Sequence, residues 1–119
     1  MTKPLAVIIE DDLKLATIFA EALKAAQFEA EIVQDGDTAL SLLNVTTPAV
    51  VVLDLHLPLV SGQEILRQIR ADERLVRTRV MIATADPSMA EALREEADLV
   101  LIKPISFTQL RDLAGRLHP

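Results

Sequence analysis

The chain has 119 residues, with 12 Lys and Arg against 18 Asp and Glu, a net charge of −6 and no cysteine. That length fits one domain with one core, and the absence of thiols excludes disulfides, thiol nucleophiles and thiolate metal sites. The acidic balance and just three aromatics, Phe19, Phe28 and Phe107, argue against direct nucleic-acid binding.

Met1-Thr2-Lys3-Pro4 leads into an apolar run too short for a signal peptide, and no later stretch is long enough to span a membrane. The expected location is therefore the cytoplasm. Leu5 to Ile9 reads as a first strand. Leu13 to Ala26 reads as a helix capped by Asp12, with Leu15, Ile18, Phe19, Ala22 and Leu23 as its buried stripe. Glu29 to Val33 is a short second strand, Asp35-Gly36-Asp37 a turn, and Thr38 to Leu43 a short helix. Pro48 marks the entry to a third strand, Ala49 to Leu53. Leu57 to Gly62 is a loop, Ile65, Leu66 and Ile69 give the next helix its stripe, and Arg70 to Thr78 is its exit. Val80 to Ala83 is the fourth strand, and Pro87 opens a helix where its missing N–H costs nothing. Leu99 to Ile102 is the fifth strand. A last helix starts near Ser106 and ends by Leu117, leaving His118 solvated.

Apolar runs rich in β-branched residues and lacking alternation read as strands covered on both faces, hence a parallel sheet. Each parallel connection requires a right-handed crossover, here supplied by a helix. The expected fold is a doubly wound α/β sandwich of three layers, with five strands in the flavodoxin-like order 2-1-3-4-5 and five helices. Residues 1–119 form the single expected domain.

In such sheets ligands bind beyond the carboxyl ends of the strands, where the strand order reverses. Glu10-Asp11-Asp12 follows the first strand and Asp54 follows the third. If these strands are neighbours, Glu10, Asp11 and Asp54 converge. Their mutual repulsion then calls for a proton or a divalent, oxygen-seeking cation such as Mg²⁺. Thr84 and Lys103 end the fourth and fifth strands and bring a hydroxyl and an ammonium to the same rim. Together these groups could receive a phosphoryl group.

With Glu10-Asp11, Asp54 followed by Leu57-Pro58 and Gly62, Thr84-Ala85 and Lys103-Pro104 in this order, the chain resembles the receiver domains of bacterial two-component response regulators. The resemblance spans essentially the whole chain. It implies that Asp54 accepts phosphate from a phosphohistidine of a sensor histidine kinase or histidine phosphotransfer protein. It further implies that Asp11 and Asp54 ligate Mg²⁺, that Glu10 acts through water, and that the His56 backbone carbonyl is another ligand. Lys103 and Thr84 would hold phosphoryl oxygens, and the small Ala85 would keep the pocket open. On this reading the chain is a self-phosphorylating and self-dephosphorylating switch and not an enzyme in the ordinary sense. Its output is altered affinity for a partner, with a homodimer or a downstream effector domain among the candidates. The chain is expected to be a stand-alone regulator or a piece excised from a larger regulator or hybrid kinase.

Three positions depart from the family pattern. Val100 stands where the family usually has Tyr or Phe, Glu96 where it commonly has Gly, and Ile105 where it has an aromatic after Lys-Pro. They bear on how the signal leaves the site, while the phosphorylation chemistry is untouched. Two rival readings differ in kind. A phosphatase of the haloacid dehalogenase type needs a second Asp two residues past the nucleophile, where this chain has His56. A pseudo-receiver that only binds protein would lack an Asp or the Lys. A flavin module would need a Gly-, Ser- and Thr-rich phosphate loop where Glu10-Asp11-Asp12 stands.

Overall fold

The computed structural model describes residues 2–119. Five strands, β1 (Leu5–Ile9), β2 (Glu29–Val33), β3 (Val50–Leu53), β4 (Arg79–Thr84) and β5 (Leu99–Ile102), alternate with five helices. These are α1 (Leu13–Ala25), α2 (Gly36–Val45), α3 (Gly62–Ala71), α4 (Pro87–Leu93) and α5 (Phe107–Arg116). All strand pairs are parallel and the order is β2-β1-β3-β4-β5, as expected.

Successive strand residues point to opposite faces, so each apolar strand feeds two cores. Ala6, Ile8, Val50, Val52, Met81 and Ala83 meet Phe19, Leu23, Leu110 and Ala114 of α1 and α5. Val7, Ile9, Val51, Leu53, Val80 and Ile82 meet Ala39, Leu43, Ile65, Ile69 and Leu93 of α2, α3 and α4. Every helix starts on a side-chain cap. Asp12, Asp35, Ser61, Asp86 and Ser106 accept the backbone N–H three residues on, each worth about 1 kcal/mol.

The boundaries correct the expectations in several places. Asp35-Gly36-Asp37 is a helix start and not a turn: the Asp35 carboxylate takes the Thr38 N–H at 2.7 Å and its hydroxyl at 2.9 Å. Those bonds hold Asp35 below the usual carboxylate range. A turn and a cap share the same residue types, which is why the sequence pattern confuses them. The helix also runs on to Val45. Ile18, assigned to the buried stripe of α1, is 46% exposed, and the core face is centred instead on Ala16, Phe19, Ala20 and Leu23.

Arg70 belongs to the last turn of α3 instead of its exit, and a short 3₁₀ turn, Glu73–Leu75, follows. Its guanidinium donates to the Glu96 carbonyl at 2.7 Å, the Thr78 carbonyl at 3.0 Å and Asp98 Oδ2 at 2.9 Å. The same Asp98 oxygen accepts the Val80 N–H at 2.7 Å. One side chain thus ties α3 to the entrances of β4 and β5. His118 is not merely solvated: its ring lies 4.9 Å from that of Phe28, and Nε2 is 3.2 Å from the Gln27 carbonyl oxygen.

Candidate functional site

The pairing of Ile9 with Leu53 in neighbouring strands sets the site. Each strand delivers its next residue to the same rim, and the backbone fixes both. The Glu10 N–H donates to the Val33 carbonyl and the Asp54 N–H to the Ile9 carbonyl, both at 3.0 Å. Lys103 is held likewise, its N–H on the Thr84 carbonyl at 2.8 Å. Glu10, Asp11 and Asp54 each place a carboxylate oxygen within 4.8 Å of the others, so the convergence expected from sequence is present.

Asp11 is exposed, but Glu10 and Asp54 are 2% and 5% exposed, which is rare for carboxylates without partners. Lys103 supplies the compensation. Its Nζ lies 2.6 Å from Glu10 Oε1 and 3.7 Å from Asp54 Oδ1. Burial still raises the Glu10 pKa from 4.5 to about 7, the Lys103 hydrogen bond working against this and the Asp54 charge adding to it. The donor set suits Mg²⁺: hard carboxylate oxygens, crowded, on a rim where water can complete the coordination.

Thr84 is fully buried, and its Oγ1 accepts the Asp86 N–H at 3.2 Å, leaving the hydroxyl proton available to donate. The His56 N–H donates to Asp54 Oδ1 at 3.3 Å, which steadies the carboxylate. The His56 side chain is exposed to solvent. Its Nε2 is 3.8 Å from Asp86 Oδ2, so the two side chains meet across the loops that follow β3 and β4. Asp86 is also the cap of α4, its carboxylate accepting the Met89 N–H at 3.1 Å. Its position immediately before Pro87 was the available cue, since Asp-Pro marks a helix start.

Two glycines lock the loop after Asp54. A Cβ at Gly62 would collide with the Asp54 carbonyl oxygen, and one at Gly36 with the Val60 carbonyl oxygen. The loop between them bulges outward at Leu59, a residue of φ 70° that is 81% exposed. The Lys103–Pro104 peptide bond, on the far side of the pocket, is cis.

Among the described residues no helix is long and apolar enough to cross a membrane. The family model of the response regulator receiver domain matches residues 6–114. The transcriptional regulatory protein CutR of Streptomyces coelicolor is 36% identical over 107 residues, which take in 87% of this chain and 48% of CutR. The chain thus spans about half the length of that relative. A CheY-like receiver domain from Methylobacillus flagellatus superimposes with a TM-score of 0.87 at 26% identity, covering 98% of this chain and all of the other. The response regulator DrrB of Thermotoga maritima matches with a TM-score of 0.84 at 26% identity, over 98% of this chain and 52% of DrrB. Fold, acidic rim and likeness agree, and the chain belongs to the response regulator receiver domain family.

Proposed function

We propose that residues 1–119 act as a single phosphoacceptor receiver domain whose nucleophile is Asp54. The observation that carries this reading is a buried, backbone-oriented carboxylate set between an acidic pair and a lysine ammonium. An Asp54 oxygen attacks the phosphorus of a phosphohistidine. The P–N bond breaks, the imidazole keeps the electron pair and takes up a proton, and an acyl phosphate forms. Glu10, Asp11, Asp54 and the His56 backbone carbonyl would hold Mg²⁺, which when bound neutralises charge on the transferring oxygens. Lys103 exchanges its Glu10 contact for a phosphoryl oxygen, and the Thr84 hydroxyl turns its free proton to another. The donor is a sensor histidine kinase or a histidine phosphotransfer protein, and the setting is cytoplasmic.

The relatives' names, which include transcriptional regulators, support an output in gene regulation. We assign that output to a partner or an effector segment. The acidic charge disfavours nucleic acid as a ligand of these 119 residues themselves. The presence of Asp54 and Lys103 together disfavours a receiver that only binds protein, and His56 disfavours a dehalogenase-type phosphatase. Incubation with acetyl phosphate and Mg²⁺ should add one phosphate to the wild-type chain and none to Asp54→Asn. Equal labelling of the variant would overturn the assignment.

A further inference from the structure

At the opposite end of the sheet from Asp54 lies an open cavity of about 720 Å³, bounded by the segment before β4, the entrance to β5 and the end of α5. Four of the chain's eight arginines line it: Arg70, Arg77, Arg79 and Arg116. Such clustering is unexpected in a protein of net charge −6. Three carboxylate side chains and the terminal residue Pro119 also line the cavity, but one of these side chains, Asp98, is committed to Arg70 at 2.9 Å and Arg79 at 3.5 Å. Glu95 and Glu96 approach no arginine within ion-pair distance among the described residues.

The second observation concerns pairing. Arg67, Arg70, Arg74, Arg79, Arg94 and Arg111 each have a carboxylate partner. Arg77 and Arg116 are the two arginines with no ion pair among the described residues, and both line this cavity. The cavity volume lies in the range of small-molecule sites, roughly 300–1,000 Å³. A guanidinium offers paired N–H donors in a planar fork that matches phosphate or carboxylate oxygens.

We propose that this cavity is a binding site for a small polyanion, a phosphorylated or polycarboxylate metabolite, held by Arg77 and Arg116 against a floor braced by the Arg70–Asp98 pair. Glu95 and Glu96 set a limit on what fits. They exclude diffuse negative charge at the rim and favour a compact ligand whose anionic groups reach past them to the arginines. The site shares no residue with the Asp54 pocket and does not depend on phosphorylation.

The test is an amide NMR titration of the full chain in metal-free, low-salt buffer, with inorganic pyrophosphate in one arm and citrate in the other. Saturable shifts are expected at Arg77, Arg79, Ala97, Asp98 and Arg116, weakening as salt is added. The tighter anion identifies the ligand as phosphate or carboxylate in kind. Arg77→Gln and Arg116→Gln should each lower affinity about tenfold. Arg67→Gln, which removes a paired arginine elsewhere, and Asp54→Asn should leave it unchanged. Non-saturating shifts, or affinity in Arg77→Gln and Arg116→Gln unchanged from the wild type, would show that these arginines are solvated only.

Discussion

The two ends of the sheet use charge in opposite ways. At the carboxyl end, Glu10, Asp11 and Asp54 crowd together with Lys103 as the one cation in contact among the described residues, so negative charge exceeds positive there. At the amino end, the Arg70–Asp98 pair is saturated by backbone groups on both partners. Charges of the first kind are poised for a ligand, at some expense of stability. Charges of the second kind hold elements together. Removing a charge should therefore have opposite signs at the two ends.

The largest effect is expected at the amino end. Arg70→Ala removes the nearest cation from Asp98 and a donor from two carbonyls, and should lower unfolding free energy by about 2–3 kcal/mol in urea titrations. A loss below about 0.5 kcal/mol, the level of an exposed ion pair, would remove the contrast. Next comes metal binding. Asp11→Ala should weaken Mg²⁺ binding at least tenfold, by about 1.4 kcal/mol or more. Asp12→Ala should leave it within about twofold while costing about 1 kcal/mol of helix capping. Reversed results in a Mg²⁺ titration would mean that Asp12, and not Asp11, is the ligand.

The third prediction follows from Glu10 in the metal-free protein. Its folded pKa is raised to about 7, so between about 4.5 and 7 the folded site holds a proton that the unfolded chain has released. That stabilising contribution is complete below about 4.5 and is lost as pH rises through about 7. Thermal melts without Mg²⁺ should accordingly decline across this window, by at most about 1.4 kcal/mol per pH unit from this group. Glu10→Gln should flatten the decline, and added Mg²⁺ should reverse it at pH 8. The smallest effect is Asp54→Asn without metal, which relieves repulsion and should raise stability by about 1 kcal/mol at pH 8 while abolishing phosphorylation. A destabilised Asp54→Asn would place Asp54 with the structural charges.

The site was more legible in the sequence than the brace opposite it, for a physical reason. Asp54 and Glu10 each follow an apolar strand directly, and parallel-sheet topology does the rest. The bounds of β1 and β5 were legible on the same ground, since an unbroken apolar run carries its own limits. Arg70 reaches Asp98 across 28 residues, and nothing in the local pattern distinguishes it from a solvated arginine at a helix end. The contact between Glu10 and Lys103 spans 93 residues and was foreseen only as a shared rim. Ile18 misled because three- and four-residue spacing defines a stripe but not its centre: the buried face lies on Ala16, Phe19, Ala20 and Leu23, and Ile18 is on the other flank of the helix. His118 misled because its partners, Phe28 and the Gln27 carbonyl, come from the other end of the chain.

The loop bearing Leu59 offers an experimental opening. Gly36 and Gly62 pin its two ends by backbone contact, while Leu59 projects into solvent from a left-handed conformation. Because the chain contains no cysteine, one introduced at this position would be its only thiol. A fluorophore or spin label attached there would sit on the segment leaving Asp54 without entering the carboxylate pocket. Loop motion could then be followed in real time on the unmodified background of every other side chain.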